Sequence, residues 1–168
     1  EATEESAVAL GTSTEASGIS STAIGNAANA SNLQAIALGA SSISSGNQSI
    51  AFGFNSTASG QCSVSFGSQS FTNASGAIAI GPSSSSTGTN AIAVGTGTSA
   101  SFDNSFVIGA GAIANGTGAG AIGYQANTQG VDAMAVGVEA CAIGNNSLAL
   151  GTAACSIGVD SVAIGFSA

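Results

Sequence analysis

The stretch NSLALGTAACSIGVDSVAIG, residues 146–165, states nearly the same motif twice. Asn146-Ser-Leu-Ala-Leu-Gly151 returns as Asp160-Ser-Val-Ala-Ile-Gly165, fourteen residues further on. The glycine that ends this motif recurs at the same interval along the whole chain, so twelve repeats of fourteen account for all 168 residues. A compositional accident would not stay in phase without a single insertion, so the spacing defines the fold. The marker glycines, which we expect at turns, are Gly11, Gly25, Gly39, Gly53, Gly67, Gly81, Gly95, Gly109, Gly123, Gly137, Gly151 and Gly165.

The repeat has a clear alternation when its positions are numbered so that the marker glycine lies at position 11. Positions 2, 7, 9 and 14 hold small residues, and Val107 is the largest of them. Positions 8 and 10 hold large apolar residues, with Thr22 and Gly120 as the clear departures. Alternation with period two predicts a β-strand, and the glycines at position 11, with the Asn, Asp and Gly favoured at position 6, predict two tight turns. Two short strands and two turns in fourteen residues predict one coil of a parallel β-solenoid, with coils about 4.8 Å apart.

The small residues indicate which side of the strands faces inward. A coil with two short strands has a thin interior, and uniformly small side chains are what two closely packed sheets require. This steric argument places positions 8 and 10 outside, as an apolar stripe larger than a soluble monomer usually exposes. The residues alone leave the reverse open, with the large side chains inside a monomer. Phe102 stands where glycine is usual at position 4, so we expect a bulge or an outward flip near SASFDNSF.

Composition excludes several classes of function. The chain has no Lys, Arg or His and a net charge of −8, which argues against a nucleic-acid partner and against an anionic membrane surface. No apolar run is long enough to insert into a membrane. The eight carboxylates are scattered and lack a basic partner, so we expect no enzyme activity, no cofactor and no metal site.

The motifs NSLALG, DSVAIG and NAIAVG, with their Gly-containing return strands, resemble the head repeats of trimeric autotransporter adhesins, the YadA-like family. The resemblance covers all twelve repeats. It implies an all-β, left-handed parallel β-roll (β-solenoid) in which three chains pack side by side as a homotrimer around the large apolar residues. The residues expected at that trimer interface are Val8, Leu10, Ile36, Leu38, Ile50, Phe52, Val64, Phe66, Ile78, Ile80, Ile92, Val94, Phe106, Ile108, Ile122, Met134, Val136, Leu148, Leu150, Val162 and Ile164.

The three cysteines occupy two kinds of position. Cys62 lies alone in a turn position, whereas Cys141 and Cys155 share position 1 of adjacent repeats. Their α-carbons should therefore be about 5 Å apart, within the range that a disulfide spans. The sequence is consistent with two interpretations, a disulfide or two unpaired thiols in a duplicated repeat.

Residues 1–168 are interpreted as one repeat domain, a segment of a longer protein. The resemblance implies a non-enzymatic adhesin head at an extracellular surface, anchored in the outer membrane by the parent protein. Its polar outer face, formed by repeat positions 1, 3, 5 and 13, would bind a host or environmental surface through a host receptor, matrix protein or surface glycan. The alternative is a structural fibre of a cell or virion surface, in which the coils stack end to end by pairing of uncapped strands.

Overall fold

The computed structural model describes all 168 residues, and every regular element in it is a short β-strand. The strands form two parallel sheets, and successive strands of the chain alternate between them. Sheet 1 has twelve strands and sheet 2 has eleven, and the return segment of the first repeat is reduced to a single bridge between Ala2 and Ala16. The predicted all-β parallel solenoid with a fourteen-residue coil is confirmed. The fold contains no helix that could cross a membrane.

The strand bounds follow the repeat. Sheet 1 contains β1 (Val8–Leu10), β3 (Thr22–Ile24), β5 (Ile36–Leu38), β7 (Ile50–Phe52), β9 (Val64–Phe66), β11 (Ile78–Ile80), β13 (Ile92–Val94), β15 (Phe106–Ile108), β17 (Gly120–Ile122), β19 (Met134–Val136), β21 (Leu148–Leu150) and β23 (Val162–Ile164). Sheet 2 contains β2 (Glu15–Ala16), β4 (Asn29–Ala30), β6 (Ile43–Ser44), β8 (Thr57–Ala58), β10 (Phe71–Thr72), β12 (Ser85–Ser86), β14 (Ser99–Ala100), β16 (Ile113–Ala114), β18 (Asn127–Thr128), β20 (Cys141–Ala142) and β22 (Cys155–Ser156).

Equivalent residues of neighbouring coils pair directly, so the register is the sequence period itself. In β11 and β13, Ile78 pairs with Ile92 and Ile80 pairs with Val94. The turns stack in the same way, since the Ala27 amide donates to the Thr12 carbonyl at 2.8 Å. Strands and turns therefore both satisfy their backbone groups from the adjacent coil, which is why an insertion in one repeat would disturb its neighbours.

The interior between the sheets is filled by small side chains alone. The buried apolar residues are all alanines except Val107, which is the largest fully buried residue. Ala79 of β11 and Ala93 of β13, for example, are both completely buried. The steric assignment of the faces is confirmed, and the reversed arrangement with large residues inside is wrong.

Most serines in this interior have a hydrogen-bond partner, a backbone carbonyl at a turn or a second hydroxyl, although Ser63 Oγ and Ser147 Oγ have none. Ser42 Oγ donates to the Gly39 carbonyl at 2.8 Å, and Ser84 Oγ donates to the Gly81 carbonyl at 2.7 Å. Other buried hydroxyls pair across the coil, as Ser65 Oγ and Ser70 Oγ do at 2.7 Å. A buried hydroxyl with a partner avoids most of the desolvation cost that an unpaired one would carry.

Each coil has residues with positive φ at positions 6, 11 and 13, whereas the sequence predicts them only at positions 6 and 11. Position 6 adopts this conformation as expected, for example at Asn90 with φ 55°. Position 13 adopts it as well, although it includes Ala153 with φ 55°, a residue type that gives no sign of a left-handed backbone. At position 11, glycine is required twice over: Gly39 has φ +132°, and a Cβ there would lie 2.5 Å from the Gly53 carbonyl oxygen of the next coil.

Phe102 is accommodated without a bulge. Its side chain points outward and is 46% exposed. The flanking register is unbroken, because Ser99 still pairs with Ile113 and Phe106 still pairs with Gly120. The expected outward flip is therefore present, and the fourteen-residue spacing is kept through SASFDNSF.

Candidate functional site

The outer surface of sheet 1 is an apolar stripe formed by repeat positions 8 and 10. All 21 residues expected at the trimer interface lie on it, and each is exposed or half-buried in the single chain. Leu10 is 65% exposed, Phe66 48% and Ile108 47%. Such exposure of large apolar side chains is unusual for a soluble surface when the residues are contiguous.

Ile24 also belongs to the apolar stripe and was not among the expected interface residues. It lies in β3 beside Leu10 and Leu38, and it is 37% exposed. Its place at position 10 of the second repeat is enough to assign it to the apolar stripe. The polar neighbour Thr22 at position 8 obscured the pattern in that repeat.

The stripe is ordered by stacking of equivalent side chains. Phe52 and Phe66 on adjacent strands lie with ring centroids 4.7 Å apart and planes inclined by 4°. The carboxylates of the chain all lie at other repeat positions, so no charge interrupts the stripe. The result is an uncharged apolar ladder about 50–55 Å long.

Gly120 is the one stripe position without a side chain, and its neighbours fill the space. A Cβ on Gly120 would overlap the Phe106 ring and would lie 2.9 Å from the Met134 sulfur. Gly120 is therefore buried although it faces outward. The sequence shows only that Gly120 departs from the pattern. The structure shows that Phe106 and Met134, from the strands on either side, occupy the space that a side chain would take.

We expect Gly120→Ile to destabilise the protein by about 1–3 kcal/mol, because the new side chain must displace the Phe106 ring. The double variant Gly120→Ile with Phe106→Val removes that overlap and should recover most of the loss. Urea midpoints measured by circular dichroism give both values. Equal losses in the single and double variants would contradict this account of the packing.

The outer surface of sheet 2 is a polar face formed by repeat positions 1 and 3. Its charges are confined to Glu1 and Glu15 in the first two repeats. Beyond them the face carries mainly Ser, Thr, Asn and Gln, with isolated apolar residues such as Phe71, which is 38% exposed. This face lies on the opposite side of the coil from the apolar stripe, so both surfaces can be in contact with partners at the same time.

Cys141 and Cys155 lie side by side on the polar face. They form the register pair of the parallel strands β20 and β22. Both are free thiols in this structure, with Cys155 exposed and Cys141 half-buried. Burial, and then the neighbouring Cys155 thiol, raise the pKa of Cys141. Cys62 lies on a turn six repeats away, where its thiol donates to Gln48 Oε1 at 3.5 Å.

An open cleft lies beside the first three repeats. It has a volume of about 350 Å³ and is lined by Glu4, Gly18 and Asn32, with Ile19 and Leu33 at its edge. It contains one carboxylate and no second acid or base. The cleft therefore lacks the paired groups that general acid–base chemistry uses.

The sequence repeats match a known protein family over nearly the whole chain. The matching family model is described as the YadA head domain repeat (2 copies). Its matches lie at residues 2–28, 16–42, 30–56, 44–70, 58–84, 86–112, 114–140 and 142–168. The first five matches overlap and advance by fourteen residues, which is one coil, and the last three advance by two coils each.

A comparison with solved structures finds the crystal structure of the collagen-binding domain of the Yersinia adhesin YadA. The two chains are 24% identical and superpose with a TM-score of 0.55. The alignment covers 96% of this chain and 81% of that one. A comparison with curated protein sequences finds no match. The fold, the fourteen-residue coil and the family matches together show that this chain belongs to the family of YadA head domain repeats.

Proposed function

We propose that this chain is the non-enzymatic head of a trimeric surface adhesin, in which three copies pack side by side through their apolar stripes. The single observation that carries the proposal is the stripe itself, an uncharged ladder of large residues on the outside of sheet 1. The family relationship supports the same assembly and an exposed location at a cell surface.

A second copy of the chain is the occupant that best fits the stripe. The stripe repeats every coil, and an identical chain in the same axial register presents the same repeat. Burying apolar surface stabilises an assembly by roughly 25 cal/mol per Å² before the costs of association. Three stripes around one axis would cover one another completely, whereas the opposite polar faces would stay outside.

The polar face is the proposed contact surface for the adhesion partner. It offers hydroxyl and amide groups along most of the rod and almost no charge. Because the chain carries no cation, a polyanionic partner such as a sulfated glycan would find no complementary charge. The related Yersinia domain is a collagen-binding domain, so collagen or another matrix protein is the first partner to test.

The experiment measures binding of the purified chain to immobilised collagen and to other matrix proteins. Thr87→Glu with Ser101→Glu adds two charges near the centre of the polar face. Thr87 directly follows β12, and Ser101 directly follows β14. We expect binding to fall about tenfold, equivalent to roughly 1.4 kcal/mol, while the mass in solution stays that of the unmodified protein.

The matched control is Thr96→Glu with Ala110→Glu, which adds the same charges to exposed turns of neighbouring coils. It should bind as the unmodified protein does. An equal loss in both variants would contradict the polar face as the contact surface. A trimer that retains no matrix protein would contradict the adhesive role and favour the structural fibre.

A further inference from the structure

We propose that Cys141 and Cys155 form an intrachain disulfide that ties two consecutive coils together on the polar face. The inference rests on the placement of the two residues and does not depend on the adhesive function. Nothing in the repeat pattern requires cysteine at position 1, where other coils carry Glu, Asn, Ile, Thr, Phe or Ser.

The geometry brings the two side chains to the same side of the sheet at the spacing of neighbouring strands. Cys141 and Cys155 are register partners in β20 and β22, so their α-carbons lie about 4.8 Å apart. Disulfides join α-carbons that are about 4.4–6.8 Å apart. The backbone on both sides is held in place, since the Cys141 amide donates to Ala154 and the Cys155 amide donates to Ala168, both at 2.8 Å.

The positions of the three cysteines determine which pairs of thiols can react with each other. Cys155 is exposed and can be reached by a reagent from solvent, whereas Cys141 is half-buried beside it. Cys62 lies on a different turn, six repeats away, and cannot reach either thiol within one chain. The face is opposite the apolar stripe, so the pair of one chain would not meet the pair of another chain across the proposed trimer axis.

The bond forms by exchange with an external low-molecular-weight disulfide. The Cys155 thiolate attacks that disulfide, releases one thiol and becomes a mixed disulfide. The Cys141 thiolate then attacks the sulfur of Cys155 and releases the second thiol. Two cysteine thiols are oxidised by two electrons, and one external disulfide is reduced to two thiols. The product closes one complete coil, residues 141–155, across the sheet whose strands are only two residues long.

The test treats the folded full chain with oxidised glutathione, blocks the remaining thiols at acidic pH, and digests the unfolded protein with pepsin. Pepsin is suitable because the chain has no Lys or Arg for trypsin and has Leu148 and Leu150 between the two cysteines. We expect a pair of linked peptides whose mass is about 2 Da below the sum of the two reduced peptides, whereas Cys62, which is exposed and has no neighbouring cysteine, is a free thiol or carries glutathione. The bridged form should exceed the glutathione mixed disulfides of Cys141 and Cys155 at least about tenfold, since the second step is intramolecular.

Two variants make the result decisive. Cys62→Ser should leave the linked peptides unchanged and leave the chain with neither a free thiol nor bound glutathione. Cys141→Ser should leave Cys155 as a glutathione mixed disulfide, which shows that it is reactive when its neighbour is missing. The proposal is overturned if the unmodified chain keeps three thiols, carries glutathione on both Cys141 and Cys155, or forms its disulfides between chains.

Discussion

Replacing Ile80 and Val94 together by aspartate should convert a particle of three chains into single chains or an aggregate. The two residues are paired neighbours of the apolar stripe in β11 and β13. In the proposed trimer the change places two carboxylates per chain next to those of its partners, away from water. Desolvating an ion costs several kcal/mol, and like charges without any cation nearby add to that cost. Light scattering after gel filtration measures the result, as a fall from about 47 kDa, three times 15.6 kDa, to 15.6 kDa.

The matched control places the same two charges on the other side of the same two coils. Phe71→Asp with Ser85→Asp modifies paired neighbours of β10 and β12 on the polar face. Phe71 and Ile80 are similarly exposed, at 38% and 40%, so the control also removes a large exposed apolar side chain. It should leave the mass at three chains. An unchanged trimer in the stripe variant, or a single chain in the unmodified protein, would refute the proposed interface.

Ala79→Leu should destabilise the protein by about 3 kcal/mol or more, the upper part of the range for overpacking. Ala79 is completely buried between the sheets, and its register neighbours are Ser65 and Ala93. The added carbon atoms cannot be accommodated by a rotamer change of one neighbour, because both sheets would have to separate. Since each coil contacts only the coils beside it, the damage should begin locally and spread along the rod. The midpoint of guanidinium unfolding, followed by circular dichroism, measures the loss.

Ile78→Leu is the control for Ala79→Leu. Ile78 immediately precedes Ala79 in β11, but its side chain faces outward on the apolar stripe. Its replacement by an isomer of the same size should change the midpoint little. A similar loss in both variants would contradict the narrow interior as the cause of the loss in Ala79→Leu.

Much of the fold can be predicted from the sequence because one fourteen-residue pattern packs in the same way in twelve successive coils. Alternation over positions 7–10 identified the strands of sheet 1, and the small residues at four positions identified the interior. The weaker pattern around position 2 identified sheet 2, whose strands are only two residues long. Repetition strengthened each weak local pattern, because an atypical residue in one repeat can be interpreted from the residues at the same position in the other eleven.

Individual repeats that depart from the pattern were less predictable. The sequence left Phe102 between a bulge and an outward flip, and the structure shows the flip alone. It also could not show how Gly120 is compensated, because the Phe106 ring and Met134 come from neighbouring coils. The left-handed backbone at position 13 was missed because alanine and glutamate stand there as well as glycine and asparagine. Backbone hydrogen bonds from the adjacent coils hold these residues in a conformation that they do not favour alone.

The sequence by itself determined the period, the number of coils, the absence of cations and the separation of small from large residues. Those properties are local or additive, so they can be read from composition and spacing. The steric argument predicted that the large residues face outward, and the shared position 1 predicted that Cys141 lies beside Cys155; the structure confirms both. Only the tertiary structure decided which coils fill the gap at Gly120 and that Phe102 turns outward without a bulge. Each of these depends on the distance between two sheets or between two coils. That distance is set by the packing of many side chains together and by no single residue.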